Sequence, residues 1–183
     1  MSKVKRKLTT ILATDCVGFS RRMEEDEELT LENLKACRSL IDPLVKDSGG
    51  RILYTAGDSV IAEFESPVEC VNAAIGFQKA IHDRNKTLSE KSKLDWRVGI
   101  HLDDVIIEGD NVYGNGVNIA ARLEALAQPS GVTISKSIFD LVKGKVDLSF
   151  NDLGLQKIKE NEFHAYDILL SKSQKRTLKT SSK

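Results

Sequence analysis

Two aspartates occupy positions where a chain can build a site for a cation and a phosphate. Asp15 follows the apolar, β-branched run Leu8–Thr14 (LTTILAT), which predicts a buried strand. Cys16-Val17-Gly18-Phe19-Ser20 then turns the chain toward a helical segment. A strand-end carboxylate can bind a cation, and free backbone N–H groups at a helix start can face an anion. Asp58 lies in the turn Ala56-Gly57-Asp58, between the β-type runs Arg51–Thr55 and Ser59–Phe64, which together read as a hairpin. Tyr54 stands four residues earlier on the first of those runs. Two carboxylates held close together repel unless a cation neutralises them. A divalent pair shared by aspartates suits in-line phosphoryl chemistry, with one ion activating an oxygen nucleophile and the other holding the phosphates. On spacing alone, a turn or capping role is the simpler reading of each aspartate.

The elements that must position these residues follow from periodicity. Leu34, Cys37, Ile41 and Leu44 recur at helical spacing within Leu29–Val45, with Pro43 predicting a kink or an early end. Asp47-Ser48-Gly49-Gly50 is a stop signal. After the hairpin, Ser66 suits an N-cap, Pro67 a first turn and Glu69 a capping box. Val71, Ala74, Ile75 and Ile81 form the predicted buried face of that helix, and His82 to Lys93 reads as a loop. Leu94–Leu102 and Val105–Glu108 read as strands joined at Asp103-Asp104, with a turn at Gly109-Asp110-Asn111. Val117–Leu126 is strongly helical, Val132–Ile134 a short strand and Ser135–Leu141 a short helix. Val146–Phe150 and Phe163–Leu169 close the chain as a strand pair. Strand, helix, hairpin, helix, strand is the split βαβ order of an α+β, ferredoxin-like (βαβ-βαβ) antiparallel sheet with helices.

Composition bounds the function classes. The 183 residues are 40% hydrophobic and 30% charged, as in a soluble domain with a real core. The 27 basic and 27 acidic residues give no net charge, which argues against a general nucleic-acid binder. No apolar run approaches a membrane span or a signal peptide. Cys16, Cys37 and Cys70 are an odd set without metal-ligand spacing, so reduced thiols in the cytoplasm are expected. Residues 1–7 read as a basic extension, 8–170 as one domain, and 171–183 as a disordered basic tail. His82, His101 and His164 are scattered and read as structural, and Trp96 and Phe19 as core.

Three stretches in order resemble a class III nucleotide cyclase catalytic domain, over about Leu8 to Leu169. ILATDCVGFS is similar to that family's first metal-binding segment. GGRILYTAGDSVIAEF is similar to its hairpin with the second metal aspartate. WRVGIHLDDVIIEGDNVYGNGVNIAARLE is similar to its long signature. The resemblance implies that Asp15 and Asp58, with the Cys16 carbonyl, bind two Mg²⁺ or Mn²⁺ ions per active site. It implies that N–H groups from Val17 to Ser20, including those of Gly18, Phe19 and Ser20, cradle the phosphates. Asn118 would orient the ribose, and Arg122 would stabilise charge at the α-phosphate; they stand at i and i+4 of one helix. Lys159 would bind the triphosphate, although Glu160 replaces a common glycine beside it. It further implies a head-to-tail homodimer with active sites at the subunit interface.

The sequence departs from the purine cyclases at two places. Tyr54 stands at their lysine position and Asn111 at their aspartate position. A phenol leaves room for a six-membered base, and an amide can both donate and accept. The departure resembles the pyrimidine cyclases of the Pycsar antiphage system. This implies UTP, ahead of CTP, as substrate, cyclic UMP or cyclic CMP as signal in antiviral defence, and a separate effector protein. Arg97, on the strand leading to Gly99-Ile100-His101, is a further candidate for base or ribose contact, or an ordinary sheet-face arginine. The other readings are an adenylate or guanylate cyclase with an atypical base pocket, and an inactive nucleotide-binding module.

Overall fold

The computed structural model describes residues 4–109, 111–158, 160–171, 174–178 and 180. Among these, one sheet of eight strands runs in the order β2-β3-β1-β4-β6-β8-β7, with β5 pairing β4. The strands are β1 (Lys5–Cys16), β2 (Gly50–Ala56), β3 (Ser59–Phe64), β4 (Trp96–Glu108), β5 (Asn111–Tyr113), β6 (Val132–Ser135), β7 (Ser149–Ile158) and β8 (Asn161–Leu169). Among the described residues only the β4–β6 pair is parallel. The helices are α1 (Phe19–Glu25), α2 (Glu27–Asp47), α3 (Pro67–Asn85), α4 (Asn115–Leu126) and α5 (Lys136–Val142). The expected α+β, ferredoxin-like architecture is present.

Alternation along β1 divides the core between two faces of the sheet. Leu12 and Cys16 join the large cluster under α2, α3 and α5, with Trp96, Phe64 and Phe77 fully buried. Ile11 and Ala13 face the other way, onto Ala120 of α4. Ser66 caps α3 by accepting from the Glu69 N–H, and Asp26 caps α2 by accepting from the Leu29 N–H, as short polar side chains do at helix starts.

Several boundaries differ from expectation, each for a tertiary reason. β1 begins at Lys5, inside the expected extension, because Lys5–Lys7 pair with Val105–Ile107 of β4. The break expected at Asp103-Asp104 is absent: both residues pair with β1, so β4 is one strand of 13 residues. Helix α2 runs through Pro43 to Asp47, and α3 reaches Asn85, whose side chain donates to the Leu94 carbonyl. β7 covers Ser149–Ile158 in place of Val146–Phe150. A register shift at Asp152/Gly154, with Gly154 at φ 75°, interrupts the alternation that would have marked it.

The described part of the expected tail makes defined contacts. Arg176 donates to both carboxylate oxygens of Asp167, at 2.8 and 3.1 Å, and to the Leu126 carbonyl at the end of α4. Leu178 packs on Ile119, Leu123, Leu153 and Phe163. Asp167 is 5% exposed and also accepts from Thr133. Removing one partner of a buried ion pair leaves a desolvated charge. Arg176→Ala is therefore expected to cost about 3 kcal/mol and to lower Tm by about 10 °C. A thermal melt superimposable on wild type would show that this contact adds nothing.

Candidate active site

The end of β1 and the tip of the β2–β3 hairpin meet. The backbone N–H of Cys16 donates to Oδ2 of Asp58 at 2.8 Å. This bond follows from sheet order, because β3 pairs directly with β1 (Thr14 opposite Val60) and carries the tip alongside Asp15-Cys16. Burial lifts the Asp58 carboxyl above its ordinary range, and the nearby Asp15 charge adds to the rise, against the Cys16 N–H. The two carboxylates are thus close enough to disfavour each other, the condition that a divalent ion relieves.

The donor set fits a hard cation. Carboxylate oxygens with a backbone carbonyl suit Mg²⁺ or Mn²⁺. Among the described residues no group of three or more His, Cys, Asp and Glu side chains is placed to hold a metal ion. The Cys16 thiol stays protonated at neutral pH in the cation-free chain. Burial, reinforced by the Asp58 charge, pushes it up to about 12.

Gly18 adopts φ 66°, which turns the chain from β1 into α1. The N–H of Val17 is not available for phosphate, because it donates to the Asp95 carbonyl at 2.8 Å. The N–H groups of Gly18, Phe19 and Ser20 open α1, where helix geometry leaves donors without intrahelical acceptors.

Arg97 is held by the strand-end carboxylate. Its Nε and Nη2 lie 3.1–3.3 Å from the carboxylate of Asp15, the residue paired with it across β1 and β4. Glu124 joins them from α4, its Oε1 3.1 Å from Nη2 of Arg97. Glu124 was missed at the level of sequence; its one signal is a carboxylate two residues beyond Arg122 on a helix face that also carries Ala120 and Leu123. Burial, then its contact with Asp15, holds its carboxyl far above the ordinary range, against the pull of Arg97. α4 comes this close because position 99 is glycine. A Cβ there would lie 2.2 Å from the Glu124 nitrogen and 2.3 Å from the Ala120 oxygen.

Asn118 is exposed and Arg122 half-buried on the outer side of α4, whose inner side buries Ile119, Ala120 and Leu123. Among the described residues, neither side chain makes a hydrogen bond or ion pair. Tyr54 is 45% exposed. A bulge between Ile52 and Tyr54 lets Leu53 bury while Tyr54 pairs with Ile61. Leu53 and Ile61 share one apolar cluster with Val112 and Val117, so the strands that carry Tyr54 and Asn111 are joined through it. Lys159 lies outside the described residues. His101 bridges strands, its Nδ1 2.8 Å from the Ser135 hydroxyl and its Nε2 3.4 Å from Asp103. Ser135 is 2% exposed, so this Ser-His-Asp arrangement offers no accessible nucleophile.

The antiparallel-rich α+β sheet thus brings the Asp15 and Asp58 carboxylates together at the end of β1, and α4 presents Asn118 and Arg122 on its outer side. The profile of the adenylate and guanylate cyclase catalytic domain matches residues 2–170. A protein of Rhizobium meliloti named putative adenylate cyclase 3 is 42% identical over 160 residues, 87% of this chain. The chain spans 27% of that relative's length. The crystal structure of an adenylate/guanylate cyclase/hydrolase from Silicibacter pomeroyi superposes with a TM-score of 0.87 at 33% identity, covering 92% of this chain and 100% of that one. The adenylyl cyclase CyaB from P. aeruginosa shares the fold, with a TM-score of 0.79 at 22% identity over 94% of this chain and 98% of that one. The chain belongs to the adenylate and guanylate cyclase catalytic-domain family, the class III nucleotide cyclases. Among the described residues no helix is long and apolar enough to cross a membrane.

Proposed function

We propose that the chain is a nucleotide cyclase acting as a head-to-tail homodimer, with a pyrimidine triphosphate, UTP ahead of CTP, as substrate. The observation that carries the enzymatic reading is the meeting of Asp15 and Asp58, joined through the Cys16 N–H. In the reaction the 3′-oxygen bonds to the α-phosphorus, the bond to the pyrophosphate oxygen breaks, and the 3′-hydroxyl loses its proton. Two Mg²⁺ or Mn²⁺ ions, held by Asp15, Asp58 and the Cys16 carbonyl, would supply activation of that hydroxyl and neutralisation of the phosphates. The N–H groups of Gly18, Phe19 and Ser20 face the phosphates. Lys159, in its sequence position, would add a cation to the triphosphate. Asn118 holds the ribose, and the forked Arg122 guanidinium stabilises charge that develops on the α-phosphate. Among the described residues Asn118 and Arg122 have no side-chain partner, and they stand on the outer side of α4, which supports their use by a second copy.

The base reading rests on Tyr54 and Asn111, whose strands β2 and β5 meet through one apolar cluster. The phenol takes up space that a lysine tip leaves free. Asn111 can donate to a carbonyl and accept from a ring N–H, as uracil requires. On this reading the cyclic pyrimidine nucleotide is made in the cytoplasm, where triphosphates are supplied. A separate effector reads it in antiphage defence.

The 42% identity to a protein named as an adenylate cyclase favours ATP as the second reading. Incubation of the purified protein with Mn²⁺ and each of the four ribonucleoside triphosphates separates them. Cyclic UMP or cyclic CMP is the expected main product; cyclic AMP as the main product overturns the pyrimidine reading. No cyclic product from any of the four would mark an inactive nucleotide-binding module. Tyr54→Lys is expected to lower pyrimidine turnover about tenfold, a loss of order 1.4 kcal/mol in transition-state stabilisation. An unaffected rate removes Tyr54 from base recognition.

A further inference from the structure

Arg97 sits where β1, β4 and α4 meet. Its Nη2 lies 3.1 and 3.2 Å from Oδ1 and Oδ2 of Asp15, and its Nε 3.3 Å from Oδ1, so the guanidinium engages both oxygens of that carboxylate. Nη1 donates to the Ala125 carbonyl at 3.3 Å. Nη2 is also 3.1 Å from Oε1 of Glu124. That oxygen is buried and accepts no hydrogen bond among the described residues, and Glu124 as a whole is 7% exposed. Nη2 therefore stands between two carboxyls, hydrogen-bonded to Asp15 and ion-paired, without hydrogen-bond alignment, to Glu124.

We propose that Arg97 is a positioning residue: it is the resident counter-cation of Asp15 and moves to Glu124 when a divalent cation takes Asp15. The proposal rests on the reading of Asp15 as a cation ligand given above. With both Asp15 oxygens engaged, an incoming cation must displace at least one Arg97 hydrogen bond. A guanidinium and a divalent ion on one carboxylate also repel each other. The displaced guanidinium has an acceptor already in range, the Glu124 oxygen to which it is ion-paired but not hydrogen-bonded. Ala125, whose carbonyl Arg97 also engages, is on the same helix, so the shift is delivered to α4. That helix carries Asn118 and Arg122. Cation loading at the strand end is thereby registered on the helix that holds the ribose and α-phosphate residues.

The test is direct Mn²⁺ binding to the nucleotide-free protein, read from the electron paramagnetic resonance of free Mn²⁺. It compares wild type, Arg97→Gln, Glu124→Gln and the double variant, each checked for a native thermal melt. Arg97→Gln is expected to bind Mn²⁺ about tenfold more tightly, the effect of removing one competing charge beside a carboxylate. Glu124→Gln is expected to bind Mn²⁺ severalfold more weakly, because the amide keeps an oxygen but not the negative charge that would hold the displaced guanidinium. In the Arg97→Gln background the Glu124→Gln effect should vanish. Mn²⁺ affinity in Arg97→Gln that is equal to wild type or weaker overturns the proposal, as does a Glu124→Gln effect of the same size in both backgrounds. If Arg97→Gln does not fold, Arg97→Lys, which keeps the charge without the fork, is expected to show a smaller shift in the same direction. Absence of binding in wild type and every variant overturns the cation reading of Asp15 itself, a result distinct from binding that ignores Arg97.

Discussion

Asp58→Asn is expected to lower turnover about a thousandfold, the equivalent of several kcal/mol of lost transition-state stabilisation, with the fold intact. The amide keeps an oxygen for the Cys16 N–H, which Asp58 accepts at 2.8 Å, and removes only the charge. Asp58→Ala removes both. It leaves a buried donor unpaired and should cost a further ~1–3 kcal/mol of stability. The two variants therefore separate chemistry from structure. Both should be inactive in a cyclisation assay, while only the alanine variant melts early. Turnover in Asp58→Asn close to wild type would end the assignment of this carboxylate to the cation site.

The second large effect is a recovery. Arg122→Ala alone should be as inactive as Asp58→Asn, since an oriented donor at developing charge contributes about 10²–10³ in rate. Mixed after reversible dissociation, the two inactive proteins should regain about a quarter of wild-type activity, because random pairing makes half of the dimers mixed and each mixed dimer has one intact site. That site takes its carboxylates from the Arg122→Ala subunit and its arginine from the Asp58→Asn subunit. A mixture as silent as its components would refute the shared site, and full activity of either single variant would refute the role of the residue replaced.

Local signals placed most of the architecture. Hairpin, N-caps and helical faces all rest on contacts within a few residues, and these were legible at Ser66-Pro67, at Gly57-Asp58 and along Val117–Leu126. The errors came from partners far along the chain. Asp103-Asp104 looks like a break until Leu8 and Thr9 are placed opposite. Lys5–Lys7 looks like a solvated run until Val105–Ile107 pair with it. Arg176 and Leu178 look like tail residues until Asp167 and the α4 surface are known. For the site, the motif order pointed to Asp15, Asp58, Asn118 and Arg122, but nothing local reveals that Arg97 is held by Asp15. Nor does it reveal Glu124, whose carboxyl reaches Asp15 only because Gly99 admits α4.

The unbroken length of β4 has its own consequence. Arg97 lies near one end, beside Asp15, and Glu108 at the other, paired with Asn111. At roughly 3.3 Å per residue these ends are about 36 Å apart along the strand. A nucleoside triphosphate is much shorter than that. One copy of the chain therefore cannot grip the phosphate tail with Asp15 and the base with Asn111, which pair with opposite ends of β4. In the head-to-tail reading, β4 acts as a ruler that forbids self-sufficiency. Output then rises with the square of chain concentration when pairing is weak, so abundance alone can serve as an on-switch.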